Sequence, residues 1–168
     1  HMHVYGTTRE QMASVAVNTR SHAVLHPNAH MQKALTMDEV LSAKAIADPF
    51  GMLDCCLISD AGGAFIVTSA ERARDLKAKP VYLLGIGEYH THEHLMCAPS
   101  LTEFGAVHSG RIAYEMAGLG PGDIDFAELY DCFTIVPIIE MEELGLCPRG
   151  EGGRFFEDGH AHLNGSLP

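Results

Sequence analysis

Residues 125–144 read DFAELYDCFTIVPIIEMEEL, and the change of pattern inside them decides the fold class. Asp125 to Tyr130 is a short run suited to a strand, whereas Cys132 to Leu144 repeats its apolar residues at helical spacing until Gly145 and Pro148 stop it. Asp131 stands at the join, where its carboxylate can cap the helix. A strand that hands over directly to a helix is the repeating unit of an α/β layered domain.

The same order recurs upstream. Gly62 and Gly63 precede the apolar run Ala64 to Val67, and Ser69 is placed to cap a helix from Ala70 to Lys77. Pro80 stops that helix, Val81 to Gly87 reads as a strand covered on both faces, and Gly105 to Ala117 reads as a helix ended by Gly118 and Pro121. Nearer the start, Thr7 to Ala23 reads as an amphipathic helix, with Thr7 and Glu10 at capping-box spacing and Met12, Val15 and Ala16 on one face. Residues 26–51 interrupt this alternation. Their His-Pro, Asn and Asp-Pro-Phe-Gly punctuation surrounds one short helix at Met37, Val40, Leu41 and Ala45, an excursion with the form of a lid or contact loop. Cys147 to Pro168 is rich in Gly, His and charge without a periodic apolar pattern, so it reads as an active-site or surface loop.

Composition narrows the function classes. The chain has 168 residues with 46% hydrophobic content, enough to bury an ordinary core. Its 22 acidic against 11 basic residues give a formal charge of −11, with no Lys/Arg run to neutralise a phosphate backbone, which argues against nucleic acid as a partner. No stretch approaches the roughly 18 uninterrupted apolar residues of a membrane span, and the start lacks a signal-peptide layout, so the chain reads as cytoplasmic. Five cysteines, Cys55, Cys56, Cys97, Cys132 and Cys147, form an odd set without a CxxC pair, as expected of reduced thiols.

Chemistry concentrates at Tyr130-Asp131-Cys132-Phe133, at the carboxyl end of a strand, where α/β sheets place reactive groups. Tyr130, a phenol with an ordinary pKa of about 10, is an acid/base candidate that can donate to or take a proton from a developing alkoxide. Cys132 is the poorer candidate nucleophile, because no His is near in sequence to activate it. The alternative without catalysis has Asp131 as a simple N-cap and Cys132 and Phe133 as core. Glu88, His90, His92 and His94 recur at spacing two and would share one face of a continuing strand, where they could gather a metal; a solvated loop is the alternative. Gly150-Glu-Gly-Gly153 lacks the Lys-Ser/Thr of a phosphate-binding loop.

Five blocks carry a resemblance to a known family: Tyr5-Gly-Thr-Thr-Arg-Glu-Gln11, Ser59-Asp-Ala-Gly-Gly63, Ala117-Gly-Leu-Gly-Pro-Gly-Asp-Ile-Asp125, Glu128-Leu-Tyr-Asp-Cys-Phe133 and Glu142-Glu-Leu-Gly-Leu-Cys-Pro-Arg-Gly-Glu-Gly-Gly153. In that order they resemble the lipid-transfer-protein and sterol-carrier-protein-x branch of the thiolase superfamily. The resemblance implies a fold of two similar α/β halves in α-β-α-β-α layers, usually dimeric, of which only the central part is present here. Residues 1–77 would be the latter part of the N-terminal half, including the excursion at 26–51, and residues 78–168 the first part of the C-terminal half. Neither half would be complete.

The resemblance also implies a substrate, a coenzyme A thioester, and no covalently bound cofactor. Thiolases of the family attack with an upstream cysteine and use a catalytic His and a second Cys downstream; no residue here corresponds to any of them, so this segment alone is expected to be inactive. The family's His-Asp-Cys-Phe motif aligns with Tyr130-Asp131-Cys132-Phe133, and the Tyr at position 130 resembles the lipid-transfer-type aldolases. Those cleave a steroid hydroxyacyl-CoA by a retro-aldol step with a small OB-fold partner. Three readings follow: a segment of a thiolase-like acyltransferase that makes or breaks a C–C bond beside a thioester, a retro-aldolase, or a non-catalytic lipid-binding or assembly module. A further expectation is that a homo-oligomer or partner covers the apolar strand faces an incomplete pair of halves would expose.

Overall fold

A computed structural model describes residues 1–168. Seven α-helices occur in chain order: α1 Met2–Tyr5, α2 Arg9–Ala23, α3 Met37–Leu41, α4 Ala70–Arg74, α5 Ala106–Ala117, α6 Ile135–Glu143 and α7 Gly152–Glu157. One small antiparallel sheet, β1 Ala45–Ala47 with β2 Phe50–Gly51, lies between α3 and α4. None of the helices is long and apolar enough to cross a membrane.

The long helix α2 begins one residue later than its sequence signal. Thr8, not Thr7, is the N-cap: its hydroxyl accepts from the Gln11 N–H at 3.2 Å while Gln11 Oε1 accepts from the Thr8 N–H at 3.2 Å. Thr7 is buried instead, and its hydroxyl is bonded to the His1 ring. The short helix expected within residues 26–51 is α3, fixed by a second capping box between Thr36 and Glu39, and its Val40 is fully buried. Ser69 caps α4 as expected, and α5 ends on Gly118 in the left-handed conformation at φ 67°.

Met12 and Val15 of α2, Ile138 and Met141 of α6, Phe156 of α7, and Ala161 and Leu167 beyond it form one core cluster. Cys147 to Pro168 is therefore not simply a loop, since α7 is an integral part of the core. Its helix is hard to read from sequence because it opens on two glycines, poor helix formers. Packing explains at least one of them: a Cβ on Gly152 would lie 2.5 Å from the Ile138 carbonyl oxygen, so only glycine lets α7 approach α6 this closely. Glu142 completes the joint by accepting the Gly152 N–H at 2.9 Å.

The three strands expected at Ala64–Val67, Val81–Gly87 and Asp125–Tyr130 do not form. A strand exists only through lateral hydrogen bonds, and these stretches have no ladder partner within the chain. Nor are the first two buried: Ile66 and Val81 are 94% and 97% exposed. The layered fold class is carried here by its helices, with the sheet between them unpaired.

Candidate functional site

The turn that joins Leu129 to α6 is held by a buried aspartate from elsewhere in the chain. Asp54, inaccessible to solvent, closes a short 3-10 turn after β2 and accepts three hydrogen bonds: from Arg9 Nη2 at 2.7 Å, the Gly51 N–H at 2.8 Å and Thr134 Oγ1 at 2.8 Å. Its backbone carbonyl also accepts the Thr134 N–H at 3.0 Å, and the Cys56 N–H donates to the Cys132 carbonyl at 3.0 Å. Cys55 and Phe133 thus form an antiparallel bridge, and the Phe133 ring packs on Phe50 with centroids 5.5 Å apart. One carboxylate ties α2, β2 and the start of α6 to a single point.

This arrangement revises the expected cap. Helix α6 starts at Ile135, with Thr134 at the N-cap position and its hydroxyl spent on Asp54, so Asp131 is not the N-cap. Pro137 falls in the first turn, where its missing N–H has no intrahelical acceptor to lose. Asp131 instead lines two clefts. One, of about 450 Å³ and mostly apolar, runs between α2 and residues 52–57; the other, of about 260 Å³, lies between α2, α6 and Ala127–Leu129.

Tyr130 projects outward, 69% exposed. Its phenol is pushed above the ordinary range, first by Cys132 beside it, then by burial, Cys56 and Asp131. Burial likewise raises the Cys132 thiol, which disfavours the thiolate a nucleophile needs. The structure therefore gathers Tyr130, Asp131, Cys132 and Cys56 about one turn and adds Glu140, which sequence reasoning missed. Burial pushes the Glu140 carboxyl up to about 7, against the lowering effect of the Tyr130 backbone N–H. A lone acid within the apolar run Ile135–Met141 was its available signal. Asp54, Arg9 and Thr134 offered none, because their meeting is purely tertiary.

The metal alternative at Glu88, His90, His92 and His94 fails on geometry. His90 is bonded to Glu88 at 2.9 Å, His92 to Thr91, and His94 lies 3.9 Å from Glu93, all on an exposed segment without strand pairing that would align them. No three His, Cys, Asp or Glu side chains anywhere in the structure are grouped to hold a metal ion.

Comparison with known proteins follows the same residues. A thiolase C-terminal domain-like family model matches residues 87–168. The acetyl-CoA acetyltransferase of Methanothermobacter thermautotrophicus is 40% identical over the whole chain, which covers 44% of that protein. The steroid side-chain-cleaving aldolase of Thermomonospora curvata is 39% identical, again over the whole chain and 44% of the relative. The solved structure of the Ltp2-ChsH2(DUF35) aldolase superposes with a TM-score of 0.92 at 38% identity, over 99% of this chain and 45% of that one. The chain thus spans less than half the length of these relatives while matching them end to end. From helix order, core and sequence together, it belongs to the thiolase superfamily.

Proposed function

We propose that this chain contributes the Tyr130 side of an active site that makes or breaks a carbon–carbon bond next to a coenzyme A thioester. The observation that carries the reading is the Asp54-anchored turn, which presents the Tyr130 phenol outward beside a mostly apolar cleft. Similarity over the whole chain to both an acetyl-CoA acetyltransferase and a steroid side-chain-cleaving aldolase supports the same reaction class. Residues 1–77 and 78–168 are then the adjoining parts of the two thiolase halves, and the family match at 87–168 supports that division. The exposed apolar stretches around Ile66 and Val81 would be covered in the working assembly by further strands or a partner subunit.

A retro-aldol step is the second reading, favoured by Tyr130 and by the close superposition on the Ltp2-ChsH2(DUF35) aldolase. In that step a base removes the β-hydroxyl proton, the α–β carbon bond breaks, and its electron pair enters the thioester as an enolate. Protonation at the α carbon then releases a carbonyl compound and a shortened acyl-CoA. Neither an acyl-cysteine nor free coenzyme A is consumed, and the raised Cys132 thiol is compatible with that.

Product analysis separates the readings. The native-length protein is supplied with a 3-oxoacyl-CoA plus coenzyme A, and separately with a β-hydroxyacyl-CoA alone. Cleavage of the first with coenzyme A uptake identifies a thiolase, and cleavage of the second without it identifies an aldolase. Tight binding without turnover of either sinks the enzymatic reading and leaves a lipid-binding or assembly module.

A further inference from the structure

Helix α6 carries three acidic residues, Glu140, Glu142 and Glu143, and two have evident structural duties. Glu142 accepts the Gly152 N–H at 2.9 Å and meets the His1 ring at 3.1 Å. Glu143 accepts the N–H groups of Phe104 and Ala106, both at 2.8 Å, and so caps α5. Glu140 has no such duty. Its carboxyl reaches back to the backbone N–H of Tyr130 and lies within electrostatic range of Cys132 and Asp131, while Oε2 is sealed from solvent with no partner.

A buried carboxylate oxygen without a donor is costly, and such atoms in a folded protein call for a reason. Protonation of the carboxyl removes most of that cost. The charged groups acting on Glu140 are Glu143 from its own helix and Asp131 from the turn, both acidic, so each adds to the preference for the neutral form. A carboxyl that changes charge near neutral pH suits proton exchange under physiological conditions.

We propose that Glu140 is a positioning residue of the Tyr130 site: its carboxyl holds the Tyr130 backbone from behind, so the placement of the phenol follows the protonation of Glu140. In the ionised form the carboxylate accepts firmly from the Tyr130 N–H and draws the turn toward α6. In the neutral form that pull relaxes. The catalytic consequence rests on the reading of Tyr130 as the acid/base group, whereas the link between Glu140 and the Tyr130 backbone does not.

Two measurements keep these apart. In the chain itself, the amide resonance of Tyr130 followed by nitrogen–proton NMR across neutral pH should titrate with a midpoint near the Glu140 value of about 7. Glu140→Gln should abolish that titration, and Glu140→Asp, which withdraws the carboxyl by one methylene, should shrink its amplitude. In the native-length enzyme, Glu140→Gln should remove the corresponding step from the pH profile of kcat and lower kcat about tenfold, with KM little changed. A Tyr130 amide that does not titrate near neutrality, or that titrates unchanged in Glu140→Gln, overturns the proposal. If Glu140→Gln does not fold, the Glu140→Asp spectra decide: an unreduced amplitude overturns it. Normal turnover by Tyr130→Phe with the amide titration intact removes the acid/base reading of Tyr130 and still supports the Glu140 link.

Discussion

Replacing Asp54 by alanine removes three hydrogen-bond acceptors at once and leaves the Arg9 guanidinium facing the space they occupied. The side chain of Asp54 is inaccessible and that of Arg9 is 24% exposed, so water reaches only part of the orphaned charge. Arg9 Nη1 already lacks a partner, and the substitution would strand Nη2 beside it. Removing one member of a buried ion pair costs about 3–5 kcal/mol, and partial exposure of Arg9 places the expectation near the lower end, about 3 kcal/mol. That is a large share of the roughly 5–15 kcal/mol that holds a domain together. Asp54→Asn keeps the shape and one acceptor oxygen and should cost less, about 2 kcal/mol. Thr134→Val removes the hydroxyl donor alone, about 1–3 kcal/mol, and should couple to Asp54→Asn in a double-mutant cycle by at least about 0.5 kcal/mol. The assay is urea denaturation followed by circular dichroism, comparing midpoints at an unchanged slope. Hydrogen exchange at Cys56, whose N–H bonds the Cys132 carbonyl at 3.0 Å, adds a local readout and should accelerate in Asp54→Ala. A loss below about 1 kcal/mol for Asp54→Ala, or unchanged Cys56 protection, would refute the assignment of Asp54 as the anchor.

Stability should also depend on pH through Glu140. Its folded-state value of about 7 lies above the ordinary 4.5, so between those values the unfolded chain has lost a proton that the folded one keeps. Stability from this group is therefore present below the lower value and lost as pH rises through the upper one, by about 1–2 kcal/mol after solvent screening. Thermal melts of the parent and Glu140→Gln across that window should diverge as pH rises, and parallel curves would count against it. Thiol labelling at neutral pH should reach the exposed Cys56 and Cys97 first and Cys147 last, because burial pushes the Cys147 thiol up to about 12; mass spectrometry of labelled peptides reads the order. Gly152→Ala should destabilise by about 1–3 kcal/mol in the same urea assay, since its Cβ would meet the Ile138 carbonyl at 2.5 Å, and a neutral result would mean α7 shifts freely.

The helices were legible in the sequence wherever an apolar period and a cap coincided, as at Thr36 with Glu39 and at Ser69. Caps misled where two hydroxyl or acid residues competed. Thr8 displaced Thr7 because Thr7 is buried, and Thr134 took the N-cap position from Asp131 through its bond to Asp54, a residue 80 positions away. Strands were the least legible feature. Apolar content at Phe65–Val67 or Val81–Leu84 reports a preference for burial, but a strand needs a neighbour, and no residue of this chain supplies one. Within the site, Tyr130 stood out by its place at a strand-to-helix junction and by the family motif around it, whereas Asp54 and Arg9 gain their meaning only from a fold that brings them together.

The most direct test of the central claim is the rate of carbon–carbon cleavage of a coenzyme A thioester by the native-length protein, measured for the parent and for Tyr130→Phe. Tyr130 is exposed, so the phenylalanine variant should fold like the parent. The account predicts a loss in kcat of about a hundredfold or more with KM nearly unchanged, as expected when an acid/base group acts in the transition state. Full activity in Tyr130→Phe, or no cleavage of either a 3-oxoacyl-CoA or a β-hydroxyacyl-CoA by the parent, would contradict it.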